Sequence, residues 1–413
     1  MLKIRKSNVI RSLEIEVPFS KSISTRLLIM NALSDGLVTY DQLSDSDDSL
    51  RLKKNLEWIE NCNISGIPTV LDAGNSGAVL RFMTAYLSLV PGNCLITGSK
   101  RLKERPIKEL VMTLRNLGAH IEYAAESGRC PLLIRGGKLK GGETTMDLSQ
   151  SSQFASAVLL VASETKNGVR LRFGDSPPSM SYINMTAELL RKAGIHVVAR
   201  NNSLHVLPSA FKKVKIANEK DWSAASFWYE LLMVSEVNEV FIPQLKRSEL
   251  QGDAILPDVF QLLGIKTEFS LEGAKLSKGT KTTEKFSFDF RDNIDLALPV
   301  IFACAIRRQK AEFTGLDNLT YKESDRLTAL LEILKSMNVR HRGDRQTTLE
   351  LTGSEANKPG ILDCRNDHRL IMSLVPLALH FGEIELKNHE EVEKSYPKFW
   401  EEMRKAGVEI INN

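Results

Sequence analysis

The chain lacks most of the short signatures that announce an enzyme's chemistry. Its seven histidines show no HExxH or similar ligand spacing, and none pairs with a cysteine, so a catalytic zinc is not expected. There is no GxxxxGKS/T loop to cradle the phosphates of ATP. There is no GxSxG elbow to carry a nucleophilic serine. The five cysteines (Cys62, Cys94, Cys130, Cys304, Cys364) are scattered and form no CxxC pair, which reads as reduced thiols in a cytoplasmic protein. The N-terminal stretch has no uninterrupted apolar run of the signal-peptide kind. The longest apolar run, from Leu296 to Ile306, falls short of the roughly 20 residues that span a bilayer, so no membrane partner is expected. A basic stripe with interleaved aromatics is also missing, which argues against nucleic acid. Neither a metal nor a cofactor is expected.

What is present is ordinary in bulk. Hydrophobic residues make up 42% and charged residues 26%, with a net charge of +4. A small excess of cations suits an anionic small substrate. At 413 residues the chain is too long for one ordinary core, and two domains are expected.

One pattern returns along the chain: an amphipathic helix, a small turn residue, then a short alternating strand. The turn residues are Gly118, Gly194, Gly264, Asn338 and Gly407, spaced roughly seventy residues apart. Glycine or asparagine there predicts a left-handed helix C-cap. A weaker first copy, LKKNLEWIENCNI, puts Asn63 in the turn slot and is shorter. Six units divide naturally into three plus three, with the Lys-rich stretch from Phe211 to Lys220 as the candidate crossing. The period fits a small βα unit with several strands. Two similar α/β domains facing a cleft are therefore expected, and small-molecule sites favour such clefts.

Polar clusters sit directly before the apolar helical runs. The densest is Lys322-Glu323-Ser324-Asp325-Arg326-Leu327. A helix start already favours anions through its free N–H groups and dipole. Lys322 and Arg326 add to that, while Glu323 has no reason to face an anion unless it moves a proton. Similar clusters are Ser20 to Arg26, the turn Gly74-Asn75-Ser76-Gly77 with Arg81 one turn in, Ser151-Ser152-Gln153, Asp289 to Asp295, and Asn366-Asp367-His368-Arg369. Each alone reads as an ordinary capped helix start. Together, in a repeat protein, they describe an anion-seeking site. Lys100 to Pro106, read as a basic loop, and Lys394-Ser395-Tyr396-Pro397, read as a start with proline in the first turn, join them. His120, His196 and His341 are read as structural residues on repeat strands.

These strings, in this order, resemble the family of 3-phosphoshikimate 1-carboxyvinyltransferases (EPSP synthases). The resemblance runs from Pro18 to about Trp400. It rests on SKSISTR, LDAGNSGAVLR, LKERPIKELV, SSQF, SYINMT, DWSAASF, QGD, KESDRL, NDHRL and KSYP. It implies an α/β fold of two similar domains, each of three βαβαββ units, in the inverted α/β barrel of enolpyruvyl transferases. The chain would cross twice, giving residues 20–220 to one domain and 1–19 with 221–413 to the other, with the active site in the cleft. The implied reaction moves the enolpyruvyl group of phosphoenolpyruvate to the 5-hydroxyl of shikimate 3-phosphate by addition and elimination, on the route to chorismate and the aromatic amino acids. The implied enzyme works as a monomer, and glyphosate would compete for its phosphoenolpyruvate site.

Carried over by motif, the resemblance gives Lys21, Gly77, Arg105, Gln153, Arg326, Arg369 and Lys394 to phosphoenolpyruvate. It gives Ser22, Arg26, Ser151, Ser152, Gln153, Ser179, Asp295, Asn318 and Lys322 to shikimate 3-phosphate, with Tyr182 nearby. Asp295 is the implied base, Glu323 the implied acid with His368 orienting it, and Lys21 a further catalytic residue. Forked guanidinium groups suit carboxylate and phosphate oxygens. The sequence departs from the family pattern at Phe19, where glycine is usual, at Ala78 for threonine, at Asn184 for aspartate, and in the short stretch between Asn61 and Leu71. The sister enzyme acting on UDP-N-acetylglucosamine normally has asparagine after the first lysine and often a cysteine in its loop. Here Ser22 follows Lys21, and residues 100–106 hold no cysteine. A degenerate homologue that binds anions without chemistry is disfavoured by the intact set Lys21, Asp295, Glu323, Arg326 and Lys394. An RNA-end-processing relative has no support from charge or motif.

Overall fold

The computed structural model describes residues 1–61, 68–174, 179–344 and 346–412. The chain divides into two compact units, one of Ser20–Asn218 and one of Met1–Phe19 with Glu219–Asn413. Both are built from the same small sheet. In Ser20–Asn218, strand Thr69–Asp72 pairs in parallel with Gly92–Thr97, followed by antiparallel Leu132–Gly136 and His120–Tyr123. Gly142–Met146, Val169–Phe173, Ser203–Val206 and Val197–Arg200 repeat that order. The other unit holds three more: Ser12–Glu14 beside Glu239–Pro243, Lys285–Asp289 beside Lys310–Thr314, and Ile361–Asp363 beside Glu383–Lys387, each followed by two antiparallel strands. A parallel pair needs a crossover helix and an antiparallel pair only a turn, so three of these sheets are continuous βαβαββ units, while the other two each take one strand, Leu2–Lys6 or Ser12–Glu14, from the N-terminal segment. Among the described residues the sixth sheet is a pair only, Val38–Tyr40 beside Val214–Ile216. Cys62, Asn63 and most of the short stretch after Asn61 lie outside the described residues.

Two kinds of helix follow from two kinds of sequence. Crossover helices such as Gly77–Leu87, Gln153–Val161, Trp222–Val234 and Ala297–Ile306 are apolar nearly all round and buried nearly all round. The helices that precede the hairpins bury one face only. In Lys108–Asn116 that face is Leu110, Val111, Thr113 and Leu114, and in Arg326–Ser336 it includes Leu327, Leu330, Ile333 and Leu334. Truncating a core side chain such as Phe302 on the Ala297–Ile306 helix would cost about 3–5 kcal/mol.

The turn residues behave as their type predicts: Gly118, Gly194, Gly264, Asn338 and Gly407 all have φ between 56° and 103°. Three local expectations are corrected. Residues Lys100–Glu104 form a short helix capped by Ser99, whose hydroxyl accepts from Leu102 N, rather than a loop. Pro397 lies outside the last helix, which runs Phe399–Lys405. His196 precedes the strand Val197–Arg200 instead of lying on it.

Candidate active site

In Ser20–Asn218 the polar clusters sit where helices begin. Ser20 caps the helix Lys21–Leu33 by accepting from Ile23 N. Lys21, the first helical residue, reaches Asp48 Oδ2 at 3.1 Å, and Asp48 lies in the first turn of the helix Asp47–Asn61. Ser22 is half-buried, and its carbonyl accepts from Arg26 Nη1 at 2.7 Å. Arg26 is buried and donates also to Thr186 Oγ1, Ser156 Oγ and the Tyr182 carbonyl, all of them neutral acceptors. Burial pulls its guanidinium down to about 10, with the Tyr182 phenol opposing that fall.

Ser76 caps the helix that Gly77 begins. Gly77 has a packing reason to lack a side chain. A Cβ there would lie 2.6 Å from Arg81 Nη1 and 2.8 Å from Arg105 Nη1. Two guanidinium groups therefore converge on one helix start. Arg81 donates to Gln153 Oε1 at 2.5 Å and lies over the Phe154 ring. Gln153 N in turn donates to Ser151 Oγ at 3.2 Å. Ser152 is buried at that helix start, and Ser179 is buried in a left-handed conformation before Met180–Lys192.

The second cluster lies within Glu219–Asn413 and is built on carboxylates. Arg326 is buried at the start of its helix, while its neighbour Asp325 caps that helix by accepting from Thr328 N. Arg326 grips Asp367 with two donors, Nε to Oδ2 at 2.8 Å and Nη2 to Oδ1 at 3.1 Å. It also donates to Glu323 Oε2 at 2.6 Å and stands 3.5 Å from Asp295 Oδ1. Burial opposes the Arg326 charge, but Asp367, Glu323 and Asp295 outweigh it and hold the guanidinium above its ordinary range. Asp367 is fully buried, accepts from Ser324 N and Oγ, and caps the helix His368–Leu374.

Asp295 is met by three cations. Arg369 Nη2 stands 3.2 Å from its Oδ2, Arg326 is on Oδ1, and Lys322 Nζ is 4.0 Å away. Burial draws the Lys322 ammonium below its ordinary range, and Asp295 offsets part of that fall. Glu323 bridges Arg326 and Lys394, the latter at 3.5 Å. His368 Nδ1 stands 4.0 Å from Asp367 Oδ1. Asn318 is buried in a short turn, and its Oδ1 has no hydrogen-bond partner among the described residues.

Ten of the expected site residues thus fall into two sets. Gly77, Arg105, Gln153 and Ser151 gather around Arg81. Asp295, Lys322, Glu323, Arg326, Arg369 and Lys394 form one ion network. Sequence reasoning missed Asp48, Asp367 and Asp253, although Asp367 stands in NDHRL and Asp253 in QGD. Phe19 gains an explanation: Lys220 Nζ sits 4.4 Å over its ring and donates to the Val17 carbonyl. Asn184 is exposed on its helix. Among the described residues no group of three or more His, Cys, Asp or Glu could hold a metal ion, and no helix is long and apolar enough to cross a membrane.

A family model described as EPSP synthase (3-phosphoshikimate 1-carboxyvinyltransferase) matches residues 6–403. A 3-phosphoshikimate 1-carboxyvinyltransferase of Bacteroides fragilis is 37% identical over 400 residues, covering 96% of this chain and 95% of the relative. One of Methanoregula boonei is 30% identical over 417 residues, covering 95% and 97%. Among solved structures, an EPSP synthase from Acinetobacter baumannii superposes with a TM-score of 0.75 at 21% identity, covering all of both chains. The enolpyruvyl transferase NikO from Streptomyces tendae superposes with a TM-score of 0.76 at 15% identity, covering 100% of this chain and 98% of that one. At those identities the superpositions speak for the fold.

Proposed function

The chain belongs to the EPSP synthase family and transfers the enolpyruvyl group of phosphoenolpyruvate to shikimate 3-phosphate; from that premise we propose which residues do the work. Glu323 gives a proton to the methylene carbon of phosphoenolpyruvate. Asp295 takes the proton of the 5-hydroxyl, whose oxygen bonds to the central carbon. The Glu323 carboxylate then takes a proton back from the new methyl group of the tetrahedral intermediate as the carbon–oxygen bond to phosphate breaks, and phosphate leaves with the proton that Asp295 took. Both carboxylates share Arg326, at 3.5 Å and 2.6 Å, and that is the observation carrying this reading. An anion drawn to Arg326 and Lys394 competes with Glu323 for their donors, and a carboxylate relieved of cations takes a proton more readily.

The remaining groups bind. Lys21, Gly77, Arg105, Gln153, Arg326, Arg369 and Lys394 hold phosphoenolpyruvate. Ser22, Arg26, Ser151, Ser152, Gln153, Ser179, Asp295, Asn318 and Lys322 hold shikimate 3-phosphate. Prearranged cations of this kind stabilise charge as it develops on the leaving phosphate. In this reading the enzyme is a cytoplasmic monomer, and glyphosate competes with phosphoenolpyruvate.

The test is phosphate release from purified protein given both substrates, with and without EDTA. Release should need both substrates and ignore the chelator. Glu323→Gln should lower kcat by about 10²–10⁴ without lowering the melting temperature. No release, with shikimate 3-phosphate nonetheless raising the melting temperature, would make the chain a binding protein instead.

A further inference from the structure

Of the buried carboxyl groups outside this assignment, Asp253 is tied to the turn that carries Asp295. Asp253 is 5% exposed and lies in the short turn Gly252–Ile255. Its Oδ2 accepts from Ser223 Oγ at 2.5 Å, and its Oδ1 accepts from Asn293 Nδ2 at 3.3 Å. Asn293 is the buried residue that begins the turn carrying Asp295, and its carbonyl accepts from Leu296 N. Ser223 stands in the first turn of the Trp222–Val234 helix. Gln251, two residues before Asp253, holds the same segment by donating to the Lys220 carbonyl and accepting from Trp222 N. The QGD string thus ties residues 220–223 to the Asp295 turn.

We propose that Asp253 is a positioning residue for the base: through Asn293 it fixes the turn that carries Asp295, and its own charge sets how strongly Asp295 takes a proton. The inference rests on the reading of Asp295 as that base. Burial first, and then the Asp295 carboxylate, push the Asp253 carboxyl up to about 6, while the Ser223 bond, Arg369 and Asn293 hold it down. Two carboxyl groups that repel each other separate their protonation behaviour. As Asp253 ionises, it strengthens Asp295 as a base and adds a second anion facing Arg369.

The experiment compares kcat of the parent, Asp253→Asn, Ser223→Ala and Asp295→Asn from about pH 5 to about pH 8. The ratio of parent to Asp253→Asn removes the titration of the substrates. That ratio should rise about three- to tenfold across this range, with its midpoint near 6. Ser223→Ala removes a bond that favours the ionised form, so it should move the limb to higher pH; it also serves as the test if Asp253→Asn does not fold. A ratio constant with pH, or a Ser223→Ala profile that overlays the parent, would overturn the proposal. Asp295→Asn separates the two readings. If it keeps activity, the base assignment fails; if it loses activity while the ratio stays flat, the positioning role alone fails.

Discussion

The two units set their buried arginines in different surroundings. In Ser20–Asn218, Arg26 donates to hydroxyl and carbonyl oxygens, and Arg81 to an amide oxygen and an aromatic face. In Glu219–Asn413, Arg326 is locked to Asp367, Glu323 and Asp295, and Arg369 to Asp295. Neutral acceptors such as those of Arg26 orient a guanidinium while leaving its charge for an incoming anion. Carboxylates cancel that charge but can exchange protons. The first arrangement suits binding and the second suits proton transfer, and an addition–elimination needs both.

The contrast can be broken most severely at Asp367. Asp367→Ala would leave the buried Arg326 without its bidentate partner. It should cost about 3–5 kcal/mol in urea unfolding and abolish turnover. An unfolding midpoint equal to that of the parent would show that the pair is not what permits the burial of Arg326.

A middle-sized effect comes from a carboxyl group without a cation. Glu230 is fully buried on the Trp222–Val234 helix, and neither of its oxygens has a hydrogen-bond partner among the described residues. Burial holds its carboxyl well above the usual range, so it stays neutral where paired carboxylates ionise. The folded form therefore keeps a proton that the unfolded chain releases above about pH 4.5, and stability falls as pH rises from there. Glu230→Leu should stabilise by about 1–3 kcal/mol, and the gain should be larger at about pH 8 than at about pH 5. A gain independent of pH in thermal unfolding would mean that the group is already ionised in the fold.

The smallest expected effect tests the arginine pair at Gly77. Gly77→Ala places a methyl against the ends of Arg81 and Arg105. Those ends are flexible, so the fold should survive. The KM for phosphoenolpyruvate should rise about tenfold, or about 1.4 kcal/mol, with kcat and melting temperature little changed. A large fall in kcat with KM unchanged would put these arginines in the chemical step instead of in binding.

Much of the fold was legible along the chain. The turns at Gly118, Gly194, Gly264 and Asn338 marked the passage from helix to hairpin and that at Gly407 the passage from helix to the last strand, because a left-handed residue ends a helix that way. The apolar crossover helices and the amphipathic helices differ in composition alone. The basic segment at Lys100–Glu104 was less legible, because a capped helix of one turn carries almost no periodic signal. At the site, KESDRL announced itself by charge density. Its meaning was mixed: Asp325 is a helix cap, while Glu323 and Arg326 face the ion network. Asp48, Asp253 and Asp367 were visible as letters without visible roles.

The sequence by itself determined what depends on neighbours within a turn or two: the caps at Ser20, Ser76 and Asp325, the left-handed turns, and which helices could be buried on every side. Only the tertiary structure decided which carboxyl group meets which partner: Asp48 with Lys21, Asp367 with Arg326, Asp253 with Asn293. Electrostatic pairing acts through space and is strengthened by burial, so its outcome cannot be read until the chain has brought distant residues together and excluded water from around them.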